Sequence, residues 1–230
     1  MNLKHPFFLC FLLGPIAAFA APTPVIDVQI VQADSADAYA TTIGQINELM
    51  TARTGEVKLH RVFAGDFAGD LAHQILVVSE YPSAATVYRD QEKLEKYPEI
   101  DALLAQMRST RRLGPECLCK AMRNEGLHVG GAFFSSSVVC SDEAGYAKAL
   151  DELRAIFDAH GFKDAKLNLW RVVSGRKDAT HLAVFAFPSQ LRLAEWLDAI
   201  HDDAMLREWN ERVAKLRTII GNGSYHEITK

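Results

Sequence analysis

Beyond its N-terminal stretch, the chain lacks any apolar run approaching the roughly 20 residues that a membrane-spanning helix needs. It also lacks the short motifs that mark common chemistries. There is no G-x-x-x-x-G-K-[ST] phosphate loop, no G-x-G-x-x-G at a strand-to-helix turn, no H-E-x-x-H and no G-x-S-x-G. No two histidines stand four residues apart, so no helical metal-binding pair is present. Gly65 to Asp70 carries acids but departs from the calcium-loop pattern, and reads as a surface hairpin loop. Neither sign of charge dominates: 25 Lys and Arg face 29 Asp and Glu, a formal net charge of −4. That balance is ordinary for a soluble protein and gives no hint of a nucleic-acid partner or an anionic membrane.

The N-terminus has a secretory pattern. Lys4 precedes the apolar run Phe7 to Leu13, and Ala18-Phe19-Ala20 places small residues where a signal peptidase reads. Gly14-Pro15 interrupts the run, which is too short to span a bilayer. Residues 1–20 are therefore expected to be a signal peptide, and the mature chain a soluble periplasmic or secreted protein. Cleavage would leave three cysteines, Cys117, Cys119 and Cys140. In a strand, Cys117 and Cys119 would share one face. The expectation is buried thiols or one bridge to Cys140, with no metal site nearby.

The strongest feature is an internal repeat. Tyr39, Ile43, Ile46 and Met50 form one helical stripe, and Tyr146, Leu150, Leu153 and Phe157 repeat its spacing. Lys58 to Gly65 aligns by identities with Asn168 to Gly175, sharing Leu, Arg, Val and Gly. Gln74 to Tyr81 matches Thr180 to Phe187 as an apolar β-rich run, and each ends in Pro-Ser. A long second helix follows in each copy, carrying Val87, Leu94, Ile100, Leu103 and Met107, then Leu193, Ile200, Leu206, Trp209 and Val213. Opening strands at Val25 to Val31 and Ala132 to Cys140, and closing strands near Glu116 to Met122 and Ser224 to Thr229, complete a β-α-β-β-α-β unit twice. Residues 21–123 form the first repeat, 124–130 a connector and 131–230 the second. Each sheet has helices on one face only. The two bare faces are expected to cover each other as a barrel with its helices outside.

The passage Leu76-Val77-Val78-Ser79-Glu80-Tyr81-Pro82-Ser83 into a helix from Ala84, with its second copy at Leu182 to Ser189, resembles the dimeric α/β-barrel superfamily. That group includes antibiotic-biosynthesis-monooxygenase, NIPSNAP and EthD types. The resemblance implies an α+β fold of two tandem ferredoxin-like repeats. They would pair within one chain where the family pairs two, so a monomer is expected. The superfamily holds cofactor-independent monooxygenases, haem-binding enzymes and dehalogenases. Its enzymes often carry a histidine in the second helix. Here Tyr88-Arg89 and Ala194-Glu195 stand in that region.

Strand alternation separates the candidate site residues. Assigning the leucine faces to the helices puts His60 and Trp170 in the lumen at equivalent positions; the reverse assignment puts Arg61 and Arg171 there. Asp27, Tyr81, Ser135 and His181 join His60 and Trp170 as candidates for an aromatic-walled ligand pocket between the sheets. A His-Asp pair could act as a general base. The primary reading is an exported small-molecule-binding or accessory protein for an aromatic or hydrophobic ligand, with no cofactor implied by motif. The alternatives are a cofactor-independent monooxygenase-like or haem-binding enzyme, and a structural protein whose barrel is filled.

Overall fold

The computed structural model describes residues 23–54, 60–66, 74–94, 96–200 and 203–229. The N-terminal pattern with Cys10, the strand residues Lys58 and Leu59, the loop after Asp66 and His201 lie outside the described residues.

The β-rich runs form eight strands: β1 (Val25–Ala33), β2 (His60–Gly65), β3 (Ile75–Tyr81), β4 (Arg111–Arg123), β5 (Ala132–Cys140), β6 (Lys166–Ser174), β7 (His181–Phe187) and β8 (Arg217–Glu227). The helical stripes become α1 (Ala36–Thr54) and α4 (Glu143–Ala159). Each expected long second helix is broken in two, α2 (Ala84–Leu94) and α3 (Pro98–Arg108), then α5 (Gln190–Ile200) and α6 (Ala204–Val213). The breaks have local causes. Pro98 sits in the first turn of α3, where its missing N–H costs nothing, but the residue before a proline avoids helical geometry. Asp203 caps α6 by accepting from the Leu206 N–H at 2.6 Å. The closing strands begin five and seven residues earlier than expected, because the pairing with β1 and β5 extends to Arg111 and Arg217.

All strands close into one antiparallel barrel in the order β1-β3-β2-β8-β5-β7-β6-β4. Each half contributes the ferredoxin-like order 4-1-3-2, and β2·β8 and β4·β6 join the halves. The fold is therefore the expected α+β barrel of two ferredoxin-like repeats. Its lumen is packed. Ile26, Val28, Phe63, Leu76, Val78, Cys117, Cys119, Phe133, Trp170, Leu182, Val184 and Tyr225 form one buried cluster of strand side chains. Phe63 and Phe133 meet edge to face at 4.9 Å, a geometry that suits the ring quadrupoles. On the outer faces, α1 and α3 cover Val31, Val62, Ile75 and Val77, while α4, α5 and α6 cover Leu167, Leu169, Ala183, Phe185 and Phe187.

The ladders correct the register of the repeat. Asp27 pairs with Ser79 as Phe134 pairs with Phe185. His60 pairs with Ser79, and Leu167 pairs with Phe185, so His60 corresponds to Leu167 rather than to Trp170. The lumen residue Phe63 corresponds to Trp170: they face Glu227 and Ala121, which are themselves equivalent. The identity-based alignment of the second strands is thus three residues out. An odd offset exchanges the two faces of a strand. That is why His60 lies outside the barrel while Trp170 lies within it. Arg61 and Arg171 likewise part company. Arg61 points into one end of the lumen, donates to the Glu227 carboxylate at 2.8 Å and to the His128 carbonyl, and ties the connector to the barrel. Arg171 lies outside and pairs with Glu143 at 3.3 Å. One further repeated pair joins α1 and α4 to the closing strands: Arg111 lies 5.7 Å over the Tyr39 ring, and Arg217 lies 5.2 Å over the Tyr146 ring.

Candidate functional site

The packed lumen moves the search to the outer faces. In the first half, β1, β3 and β4 carry Asp27, Ser79, Tyr81 and Glu116 on the side away from the lumen, and α2 lays Val87, Tyr88 and Asp90 over them. His60 is placed beside them by α1. The Asn47 side chain donates to the His60 carbonyl at 2.9 Å and accepts from the His60 N–H at 3.1 Å, which pins the start of β2.

A cleft of 210 Å³ opens at this point, lined by Asp27, Val87, Tyr88, Glu116, Leu118, Ser174 and Gly175. Its depth is polar. His60 Nδ1 and Ser79 Oγ stand 2.7 Å apart. Ser79 lies beside the Tyr81 hydroxyl, and the His60 and Tyr81 rings meet edge to face at 6.3 Å. Burial pushes the Tyr81 hydroxyl up to about 12, and the negative charge of Asp27 adds to this. The hydroxyl therefore stays neutral and able to donate. Burial also pushes Asp27 up to about 7, assisted by repulsion from Glu116 and by a hydrogen bond between the two carboxyl groups. Such a pair holds one proton between two acids. Asp27 Oδ1 is buried and has no hydrogen-bond partner among the described residues. Gly175 closes the rim: its φ is +96°, and a Cβ there would lie 1.9 Å from the Glu116 carbonyl oxygen.

The second repeat shows what this location needs when it only has to pack. By the ladder register, Asp27, His60, Ser79, Tyr81 and Glu116 correspond to Phe134, Leu167, Phe185, Phe187 and Asn222. At equivalent places in two 11-residue helices, Asp90 corresponds to Trp196. The second copy is a continuous aromatic core, with Trp196 within 5.2 to 5.9 Å of Phe134, Phe157, Phe185 and Phe187. The first copy replaces that core with acids, a hydroxyl pair and an imidazole. Buried polar groups weaken a fold unless they are satisfied. This departure from apolar packing is what marks the first copy as the candidate site.

Of the six residues predicted from sequence, the structure brings together Asp27, His60 and Tyr81, on the outer face rather than in the lumen. Trp170 and Ser135 point into the lumen, where Trp170 donates through Nε1 to Asn124 at 3.4 Å and Ser135 borders a 60 Å³ void. His181 lies on the outer face of the second half, buried, with Nε2 3.0 Å from the Glu143 carboxylate and Nδ1 2.9 Å from Thr180. Burial pushes its imidazole below the usual range. Sequence reasoning missed Glu116, Asp90 and Asn47. The available signal was an acid at each of two positions whose partners in the other copy are apolar or amide.

A second pocket, of 180 Å³, lies in the second half between β5, β7, β8 and the helices, walled by Phe134, Phe185, Trp196 and Trp209, with Asn210 and Arg217 at its polar side. Its described lining does not suit haem. Among the described residues no histidine, cysteine or methionine lines it, and its phenol, Tyr146, is pushed up to about 12 by burial. Its volume is also below the roughly 300–1,000 Å³ of sites for larger ligands.

Solved structures share the fold. The chain resembles a proposed monooxygenase from Lactobacillus acidophilus NCFM (6% identity, TM-score 0.56, 90% of this chain and 95% of that chain). It also resembles an anthrone oxidase-like protein (15%, 0.52, 89% and 91%) and a heme-binding protein from Thermus thermophilus (8%, 0.54, 89% and 91%). At these identities the likeness establishes the dimeric α/β-barrel fold alone. No protein-family profile matches the chain, and no curated protein matches it in sequence.

Proposed function

We propose that the protein binds a small molecule in the cleft beneath α2 and that the Asp27–Glu116 pair acts there as a general base, with Tyr81, Ser79 and His60 as the hydrogen-bonded wall behind it. The observation that carries this reading is the contrast between the two copies: one fold position is an aromatic core in the second half and a proton-holding cluster in the first. A carboxyl group raised to about 7 is suited to accept a proton near neutral pH. Two acids sharing one proton repel anions, and the buried Asp27 Oδ1 is an acceptor without a hydrogen-bond partner among the described residues. The ligand therefore brings a donor, such as a phenol hydroxyl or an amine. The cleft volume of 210 Å³ restricts it to roughly one aromatic ring. The N-terminal pattern supports export of the protein from the cytoplasm. N-terminal sequencing of the mature protein tests that, with cleavage after Ala20 as the expected result and an intact Met1 as the contrary one.

The site is tested by ligand-observed NMR with a set of small phenols, anilines and benzoates across pH 5 to 9. Phenols and anilines should bind and benzoates should not, with affinity following a group that titrates near pH 7. Asp27→Asn should remove that pH dependence. Binding that is indifferent to both Asp27→Asn and Glu116→Gln would sink the assignment.

A further inference from the structure

We infer that Cys117 and Cys119 form a two-coordinate site, inside the barrel, for a soft monovalent cation of the copper(I) class. The two thiols share the lumen face of β4, their sulfurs are 3.9 Å apart, and they are 3% and 0% exposed. Both are free of disulfides.

The spacing discriminates between the two things a thiol pair can do. A disulfide needs its sulfurs at about 2.05 Å, so these would have to close by about 1.9 Å. Residues two apart in a strand are about 6.8 Å apart at Cα, at the upper limit a disulfide tolerates. Both cysteines are laddered to β1, Cys117 to Val28 and Cys119 to Ile26; on the other side Cys119 pairs with Val172 of β6, with a register irregularity between Leu118 and Cys119. A bridging metal asks for the opposite movement. With metal–sulfur bonds of about 2.3 Å, a linear site spans about 4.6 Å, an opening of about 0.7 Å that side-chain rotation supplies.

The surroundings fit a two-ligand ion. Among the described residues no group of three or more His, Cys, Asp or Glu is placed to hold a metal, which removes the four-ligand zinc class from consideration. Thiolates select soft cations. Two thiolates holding a monovalent cation carry one net negative charge. Arg176 lines the same void as Cys117, held by Ser137 Oγ at 2.8 Å and by the Asp178 carboxylate at 2.6 Å, and brings a guanidinium to this end of the lumen. A 60 Å³ void lined by Cys117, Ser135, Ser137 and Arg176 reaches the barrel end at Pro115 and Glu116, and provides the path in.

The test is a titration of the reduced full chain, carrying Cys10→Ser and Cys140→Ser, with Ag(I) as an air-stable probe and with Cu(I) against a chromophoric chelator. One cation per chain should bind, with a thiolate-to-metal absorption band and release of about two protons. Cys117→Ala or Cys119→Ala should weaken binding by on the order of 100-fold, and Arg176→Gln by about tenfold. X-ray absorption on the Cu(I)-loaded protein should show two sulfur neighbours, a readout that does not depend on how the variants fold. Unchanged binding in the Cys117→Ala/Cys119→Ala chain, nitrogen ligation, or a Cys117–Cys119 disulfide formed by a thiol oxidant in the folded chain would each overturn the assignment.

Discussion

Asp27 of β1 and Glu116 of β4 lie diagonally across adjacent strands, Asp27 opposite Leu118 and Glu116 opposite Gln29, and burial with the nearby Glu116 charge makes the folded chain hold a proton on Asp27 that the unfolded chain gives up near pH 4. The folded Asp27 titrates at about 7, above its ordinary value of 3.8. Between those values the folded state binds the extra proton. Stability from this pair is therefore full below about pH 4 and falls as pH rises to 7. Asp27→Asn removes the titration. Relative to wild type, the variant should gain on the order of 1–2 kcal/mol between pH 5 and pH 8, the figure being reduced because the cleft admits water. Urea unfolding at both pH values measures it; an unchanging difference would mean Asp27 is ionised throughout.

Arg61 and Glu227 are 7% and 4% exposed at the side chain, so neither charge has water to fall back on. Arg61→Met should cost about 3–5 kcal/mol, because Glu227 is left buried with only the Gly130 N–H. The double variant Arg61→Met/Glu227→Met should recover most of that loss. Equal losses in the single and double variants would show that the pair contributes mainly by holding the connector.

Trp170 is among the largest fully buried side chains and stands in the lumen cluster. Trp170→Ala should destabilise the protein by about 3–5 kcal/mol by opening a cavity the closed barrel cannot collapse around. His60→Ala, on the outer face, should cost far less while altering ligand binding in the cleft. Denaturation midpoints of the two variants separate a lumen residue from a site residue. Near-equal losses would argue against the face assignment.

Gly175 should not tolerate a side chain. Gly175→Ala places a methyl group against the Glu116 carbonyl at a positive φ, and should cost at least about 1–3 kcal/mol. It should also shift the titration of Asp27, since it displaces the strand that carries Glu116. Carboxyl chemical shifts followed by NMR over pH would show this; an unmoved midpoint would detach Gly175 from the site.

Periodicity and repetition in the sequence determined a large part of this protein. The stripe from Tyr39 to Met50 and its copy from Tyr146 to Phe157 can bury only one helix face. Two sheets with helices on one side must then cover each other, which specified the barrel. The shared face of Cys117 and Cys119 follows from the two-residue period of a strand. Helix ends were less legible. Tyr97-Pro98 and Asp203 interrupt apolar patterns that run on past them.

What only the tertiary structure decided is which face of each strand turns inward and which residues of the two copies are truly equivalent. Leu59-Arg61-Val62-Gly65 and Leu169-Arg171-Val172-Gly175 match by identity yet are three residues out of ladder register. Identity in a short strand carries little information, whereas hydrogen-bond pairing to β3 and β7 is unambiguous. With the register in hand, Asp27, His60, Ser79, Tyr81, Asp90 and Glu116 come together from four strands and a helix. No local pattern could assemble them: His60 and Ser79 are already 19 residues apart in the chain, and Asp27 lies further still from both Ser79 and Glu116. The contrast with Phe134, Leu167, Phe185, Phe187 and Trp196 is visible only once both copies are closed around one lumen.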